Sequence, residues 1–463
     1  MKIIIIGAGN VGIELARYLV DAGHAVTLVD NPGEALSQIA SRIDLRVVQG
    51  NPSSPAVLRN AGAENTELLV AVTGDDETNI TACCVGAFLF RIPRKIARIR
   101  SADYLQESEM LFGEGGIPID HIISPEHLIT EHILDLINLR GAGAVAGFFN
   151  GAAVVVSARC REGGKLVGQE IKKFEGFDGA ASVLAVYRDG KKLTAHHSES
   201  FVPGDEVIFC CTRTRALSQL SALLPLSPGG RYVTIAGGSH IADALAKQLS
   251  ERFHIKLIEQ NAERAARTAE RLRDTEVEVY NADPASTDFM REEHLGSADL
   301  YIAATLSDET NIMSSLVLSR LHKVRTIAVI RGQGYSDLAQ SAEEEIDTII
   351  SPNEATISAL LSTVRQEGVE NMRLFRRGRS EAIELKIEGS RLGSRVVGRK
   401  AVNLTLPDGV TLGLVWRERK FLRIDDNLVF EDGDHVIAYL DDHHSMRALV
   451  RLFRPLSFWL PKW

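Results

Sequence analysis

The sequence predicts an α/β protein with two doubly wound parallel-sheet domains, each followed by a small α+β unit. Two observations carry this. The chain repeats itself, and within each repeat continuous apolar runs alternate with helical patterns before giving way to short strands. "DETNI" occurs at Asp76–Ile80 and again at Asp308–Ile312, and "IDHIISP" at Ile119–Pro125 returns as "IDTIISP" at Ile346–Pro352. "IARIRSADY" at Ile96–Tyr104 matches "IAVIRGQGY" at Ile327–Tyr335, and "PGDEVIF" at Pro203–Phe209 resembles "DGDHVIAY" at Asp432–Tyr439. The matches keep their order and nearly constant spacing, so the chain is a tandem duplication.

In the first copy, strands are expected at Lys2–Ile6, Ala25–Asp30, Arg46–Gln49, Leu68–Thr73, Lys95–Arg100 and His121–Ser124. Most are unbroken apolar runs, as parallel strands covered on both faces require. Helical patterns such as Val11–Val20 fill the gaps. A second type of helix follows the last strand of each copy. Ser351-Pro352-Asn353-Glu354 supplies a cap serine, a proline at the first helical position and a glutamate at the third. Ile357, Leu360, Leu361 and Val364 then share one face, as do Ile129, Ile133, Leu136 and Ile137 after Ser124-Pro125. Two readings of those faces stay open: they join modules, or they cover their own sheets. After each helix come short strands with Gly-Asp turns. The expected boundaries are 1–123, a connecting helix at 124–140, a small unit at 141–224 and a linker at 225–230. The second copy follows with 231–350, 351–368 and 369–455, and a tail at 456–463.

Composition narrows the function. The chain has 463 residues and a formal net charge of −9, with no long basic block. That argues against a nucleic-acid partner. The cysteines Cys83, Cys84, Cys160, Cys210 and Cys211 lack metal or disulfide spacing and read as reduced buried thiols. No signal peptide or membrane span is expected.

Chemistry is concentrated at the glycine-rich loops. "GAGNVG" at Gly7–Gly12 ends a strand and opens a helix, and Asp30 closes the next strand. Gly7 permits the turn, Gly9 lets backbone approach a pyrophosphate, and Gly12 lets helix pack on strand. The helix N-terminus offers N–H groups to phosphate. Asp30 suits adenosine ribose hydroxyls and repels a 2′-phosphate, so NAD is favoured over NADP. Thr73-Gly74 lies at the carboxyl edge of the sheet. Arg98 is a candidate phosphate partner, with a structural ion pair as the alternative. Asp75, Asp76 and Glu77 read as helix caps or solvated acids. His127 and His132 fall on different helix faces and not on one metal site. In the second copy "GGSHIA" at Gly237–Ala242 aligns over the first loop, with Ser239 for Gly9, Ala242 for Gly12 and Glu259 for Asp30. Serine there is expected to crowd the pyrophosphate, and Arg98 falls opposite Val329. The two sites are therefore expected to be unequal, the first binding more tightly.

These motifs, with "LRVVQGN" at Leu45, "LLVAVTGDDETN" at Leu68, "PIDHIISPEHL" at Pro118 and "SPNEATISALLSTVR" at Ser351, span essentially the whole chain. Together they resemble the regulator-of-potassium-conductance (RCK) family, in its two-module, Trk-type form. The resemblance implies two Rossmann-like domains, each followed by an RCK C-terminal subdomain. It implies a cytoplasmic, non-enzymatic regulator that binds NAD(H), or ATP and ADP at the same sites. Such a regulator forms a ring, a tetramer of two-module chains, peripheral on the cytoplasmic face of the inner membrane, and gates a potassium-translocating membrane protein. It places the first nucleotide site at Gly7, Ala8, Gly9, Asn10, Val11, Asp30, Thr73, Gly74 and Arg98. The second falls at Gly237, Gly238, Ser239, His240, Ile241, Glu259 and Thr305. An NAD-dependent oxidoreductase, or a regulatory module of another channel or antiporter, remain the alternatives. The tail "LSFWLPKW" at Leu456–Trp463 reads equally as a membrane-partner contact or as packing on its own domain.

Overall fold

A computed structural model describes residues 1–31, 43–171, 181–193, 200–225, 230–332, 334–335, 345–364, 368–376 and 378–455. The tail and most of the 225–230 linker lie outside the described residues.

Six parallel strands build the first sheet: β1 (Lys2–Ile6), β2 (Ala25–Asp30), β3 (Arg46–Gln49), β4 (Leu68–Ala71), β5 (Arg94–Arg98) and β6 (His121–Ile123). Their order is β3-β2-β1-β4-β5-β6, the doubly wound arrangement expected. Ile3 to Ile6 and Leu68 to Ala71 are almost wholly buried, which is why these strands read as unbroken apolar runs. β4 and β5 stop short of the expected ends. Thr73 N–H donates to Asn79 Oδ1 at 3.0 Å and Arg100 N–H to Asp76 Oδ2 at 2.9 Å, so side chains take both backbones off the ladder.

An antiparallel sheet follows, from β7 (Ala142–Phe148), β8 (Ala153–Arg159), β9 (Ala181–Arg188), β10 (Lys191–Lys192) and β11 (Glu206–Thr212), in the order β10-β9-β11-β8-β7. The pattern then repeats. β12 (Tyr232–Ala236), β13 (His254–Glu259), β14 (Glu278–Asn281), β15 (Leu300–Ala303), β16 (Arg325–Val329) and β17 (Thr348–Ile350) form a second parallel sheet in matching order. A second antiparallel sheet contains β18 (Val369–Phe375), β19 (Ser380–Lys386), β20 (Val410–Arg417), β21 (Lys420–Arg423) and β22 (His435–Leu440), in the order β18-β19-β22-β20-β21.

The connecting helices settle the question left open about their apolar faces. Helix Pro125–Asn138 starts at Ser124, whose hydroxyl accepts from His127 N–H; helix Pro352–Thr363 starts at Ser351, whose hydroxyl accepts from Glu354 N–H. The two helices pack on each other, and each then crosses to the other module's parallel-sheet domain. Ile129, Ile133 and Leu136 share a core with Ile235, Ile241 and Leu245. Ile357, Leu360 and Leu361 share one with Ile5, Leu15 and Leu19. Arginines brace the exchange: Arg94 donates to the Thr363 carbonyl, and Arg325 to the Leu136 carbonyl at 3.2 Å. Each guanidinium thus meets carbonyls that a helix end leaves unpaired, where cations are favoured. The antiparallel sheets also pack across the module boundary, through Phe148, Leu184, Ile208 and Cys210 against Phe375, Leu414, Ile437 and Tyr439. The modules are one interlocked unit.

Polar contacts cross this boundary too, and one of them involves a fully buried carboxylate. Tyr18, on helix Asn10–Asp21, donates to the fully buried Glu381 carboxylate on β19. The first copy places Val154 at the position of Glu381, since both are the second residues of their strands and pair with the strand corresponding to β11 or β22.

Candidate nucleotide sites

In each parallel sheet the strand order reverses between the first and fourth strands, and the glycine-rich loop sits at the carboxyl end of that switch point. Ligands of doubly wound sheets bind there. Gly7 and Gly237 adopt φ of 107° and 114°, and each donates its N–H to the second strand, to Val29 and Ile258. A Cβ on Gly7 would stand 2.9 Å from Thr73 N, so the turn needs glycine for both conformation and space.

The acids close the loops. Asp30 Oδ2 accepts from Ala8 N–H at 2.6 Å, and Glu259 Oε2 from Gly238 N–H at 2.7 Å. The resemblance between the copies ends there. Among the described residues Asp30 has one further partner, Asn31 N–H, whereas Glu259 also accepts from Asn261 N–H at 2.6 Å and Arg264 Nη2 at 2.8 Å. Burial would raise the Glu259 carboxyl, but Arg264 and these N–H groups outweigh it and hold the group below its ordinary value. Among the described residues Glu259 is the more tightly held acid.

The helix N-termini differ as well. Helix Asn10–Asp21 begins at Gly9 without a side-chain cap, and a Cβ at Gly9 would meet nothing within 4 Å. Helix His240–Leu249 begins at Ser239, whose hydroxyl accepts from Ala242 N–H at 3.4 Å and donates to the Ala304 carbonyl at 2.9 Å. The Ser239 hydroxyl bends back and occupies one of the helix's terminal N–H groups, a second difference from Gly9 beside the side chain's bulk. Val11 and Ile241 point into the core, so only their backbone faces the loop, while Asn10 and His240 are exposed.

Across the switch point, Thr73 and Thr305 are held alike. Each hydroxyl donates at 2.7 Å to a buried asparagine, Asn79 or Asn311, whose amide reaches back to the threonine carbonyl and to the next strand. This bracket gives the repeated "DETNI" a structural role. Asp75 and Ser307 cap the helices that follow, but Asp76 and Asp308 instead clamp the loop beyond the fifth strand through paired N–H groups. Gly74 is exposed beside Thr73.

Arg98 Nη2 donates to the Thr73 carbonyl at 2.9 Å, and its Nε is buried without a partner among the described residues. No carboxylate lies within ion-pair distance of it among those residues. In the second copy the aligned residue is Val329, yet the position is not empty. Arg331 reaches back and donates Nη1 to the Thr305 carbonyl at 2.7 Å. Burial disfavours the charged form of both guanidiniums. Both remain charged, and an anion placed beside them would relieve that cost. Two residues' difference in sequence is taken up by side-chain reach, which no alignment of the copies displays.

Comparison with known proteins fixes the family. A TrkA-N domain model matches residues 3–125 and again 233–352, together more than half of the chain. The Trk system potassium uptake protein TrkA of Haemophilus influenzae is 39% identical over 462 residues, covering 99% of this chain and 100% of that one. The chain belongs to the TrkA family. The protein of the same name from Vibrio alginolyticus is likewise 39% identical, over 99% and 100% of the two chains. Among solved structures, the GsuK RCK domain superposes with a TM-score of 0.59 at 18% identity, covering 98% of this chain and 94% of that one. A GsuK channel bound to NAD superposes at 0.60 with 16% identity, over 98% and 78%. The two-module TrkA architecture is thus shared with RCK domains as a fold. No helix among the described residues is long and apolar enough to cross a membrane.

Proposed function

We propose that the chain is a cytoplasmic regulatory subunit that gates a Trk-type potassium-translocating membrane protein in response to NAD(H) or adenine nucleotides, and that it is not an enzyme. In this reading the chains assemble as a ring, a tetramer of two-module chains, peripheral on the inner membrane. The names of the full-length relatives and the NAD-bound GsuK channel support it. The observation that carries nucleotide binding is the Arg98 guanidinium, desolvated and with an unpartnered Nε, at the switch point beside an uncapped helix N-terminus. There, pyrophosphate would meet backbone N–H groups and one desolvated cation, an arrangement favourable to anions.

Both sites are proposed to bind, unequally. The first offers Gly7, Ala8, Gly9, Asn10, Val11, Asp30, Thr73, Gly74 and Arg98. The second offers Gly237, Gly238, Ser239, His240, Ile241, Glu259 and Thr305, to which we add Arg331. To accept ribose hydroxyls, Glu259 must loosen from Arg264, and Ser239 already uses one helix N–H; the second site is therefore the weaker. Arg98 and Arg331 both feel the charges of Glu126 and Arg100, so occupancy of one site alters the field at the other. A ligand gates only by binding two conformations unequally.

Calorimetry with NAD, NADH, ATP and ADP tests this. Asp30→Ala is expected to weaken the tighter site by about tenfold to a hundredfold, the scale of hydrogen bonds to a charged group. Unchanged affinity removes the first site as assigned. Arg331→Gln is expected to weaken only the looser site by about tenfold or more; an effect confined to the tighter site would show that Arg331 does not belong to the second.

A further inference from the structure

A cleft of about 1530 Å³ lies away from both nucleotide sites, between the first connecting helix, the glycine-rich edge strand β7, the amino-terminal ends of the second parallel sheet and strand β18. That exceeds the ~300–1000 Å³ of common small-molecule pockets. Several of the charges lining it are paired. Arg161 pairs with Asp347 at 2.9 Å, Arg213 with Asp135 at 2.6 Å and Arg376 with Glu206 at 3.1 Å.

Arg373, on β18, is different. Its Nη1 donates to Asn371 Oδ1 and to the Met372 carbonyl, both at 2.9 Å, and no carboxylate pairs with it among the described residues. Burial alone depresses its basicity. Across the cleft stands His132, on the helix that begins at Pro125. Its Nε2 is shielded from water and has no hydrogen-bond partner among the described residues. Both side chains line the same cleft, and burial, partly offset by Asp135, and then the Arg373 charge lower the His132 pKa. A desolvated cation without a counter-ion and a shielded imidazole nitrogen without a partner, both among the described residues of one cleft, are costly to leave unmet. An oxyanion would satisfy both, through a forked pair of N–H donors from arginine and one from imidazole.

We propose that this cleft is a third ligand site, which takes a phosphate group between Arg373 and His132 Nε2. The phosphate is either inorganic or the ester of a small organic molecule, for which the cleft has room. Its walls come from both connecting helices, both small subdomains and the second parallel-sheet domain. A ligand there would bridge the elements whose relative positions the nucleotide sites are built upon.

Calorimetry on the full chain tests the site, with inorganic phosphate in one arm and glycerol 3-phosphate in the other. Saturable binding of one phosphate per chain is expected, weakened at least about tenfold by Arg373→Gln and by His132→Phe and weakened less by Arg373→Lys, which keeps the charge but not the fork. Tighter binding of the ester identifies an organic phosphate as the natural source, and tighter binding of the inorganic ion identifies that ion. No binding in either arm, or unchanged affinity in both Arg373→Gln and His132→Phe, overturns the proposal. If a variant fails to fold, the His132 imidazole resonance of the unaltered protein serves instead. It should shift on phosphate addition; an unmoved resonance at saturating phosphate overturns the proposal equally.

Discussion

Ile133→Lys is expected to abolish cooperative folding of the chain near ambient temperature, not merely to divide an oligomer. Ile133 is fully buried where the first connecting helix meets the second parallel-sheet domain, in a core that includes Ile235, Ile241 and Leu245. Losing a buried isoleucine costs about 2–5 kcal/mol. An unpaired ammonium in that layer adds several kcal/mol more. Native domains hold only about 5–15 kcal/mol in total. Thermal melting followed by circular dichroism should show a fall in Tm of about 10 °C or more, or no transition at all. Glu131→Gln, exposed on the same helix, should melt within about a degree or two of the parent, since exposed substitutions rarely matter. A lysine variant with an unchanged Tm and a smaller mass in light scattering would mean that this helix face joins chains and not modules.

The second large effect concerns pH. Burial raises the Glu381 carboxyl, the Tyr18 hydrogen bond opposes this, and the nearby Asp442 charge adds to it; the group settles at about 7. Its other oxygen, Oε2, is buried without a partner among the described residues. Tyr18 is correspondingly reluctant to ionise, chiefly through burial and then the adjacent carboxylate. A carboxyl whose folded value lies above its unfolded value near 4.3 contributes stability that is complete below the latter and is lost as pH rises through the former. Between pH 5 and 8 the parent should therefore lose on the order of 3 kcal/mol at this junction. Glu381→Gln removes the titration while keeping an oxygen for Tyr18 to donate to, and Val154 in the first copy demonstrates that the fold accepts a neutral residue here. The variant should match the parent at pH 5 and melt several degrees higher at pH 8. Parallel melting profiles across that range would refute the assignment.

Much of the fold was legible because its physics is local. A strand buried on both faces has to be apolar throughout, so β1 and β4 announced themselves, and the duplication supplied their order. The glycine turn and the acid at the end of the next strand were legible for a related reason: φ near 110° and a Cβ-free approach leave few residue choices. What stayed hidden depends on long-range placement. The apolar stripe of Ile129, Ile133 and Leu136 requires burial but does not name the partner, so the choice between joining modules and covering their own sheets stayed open. Arg331 was missed because the copies align it with Arg100, while in space it takes the place of Arg98. The size of Ser239 was legible, but not that its hydroxyl finds the Ala304 carbonyl and the Ala242 N–H. Arg373 and His132 lie in different modules, and only the folded chain brings them to one cleft.

The central claim is that nucleotide bound at the parallel-sheet domains controls potassium movement through a membrane partner. It is tested most directly by potassium flux into vesicles holding the Trk-type membrane protein with this chain added, with and without saturating NADH or ATP. The account predicts that at least one nucleotide changes the flux with the parent chain, and that Asp30→Ala combined with Arg331→Gln removes the change while leaving association with the membrane protein intact. A nucleotide-dependent flux that is identical in the parent and the double variant would contradict it.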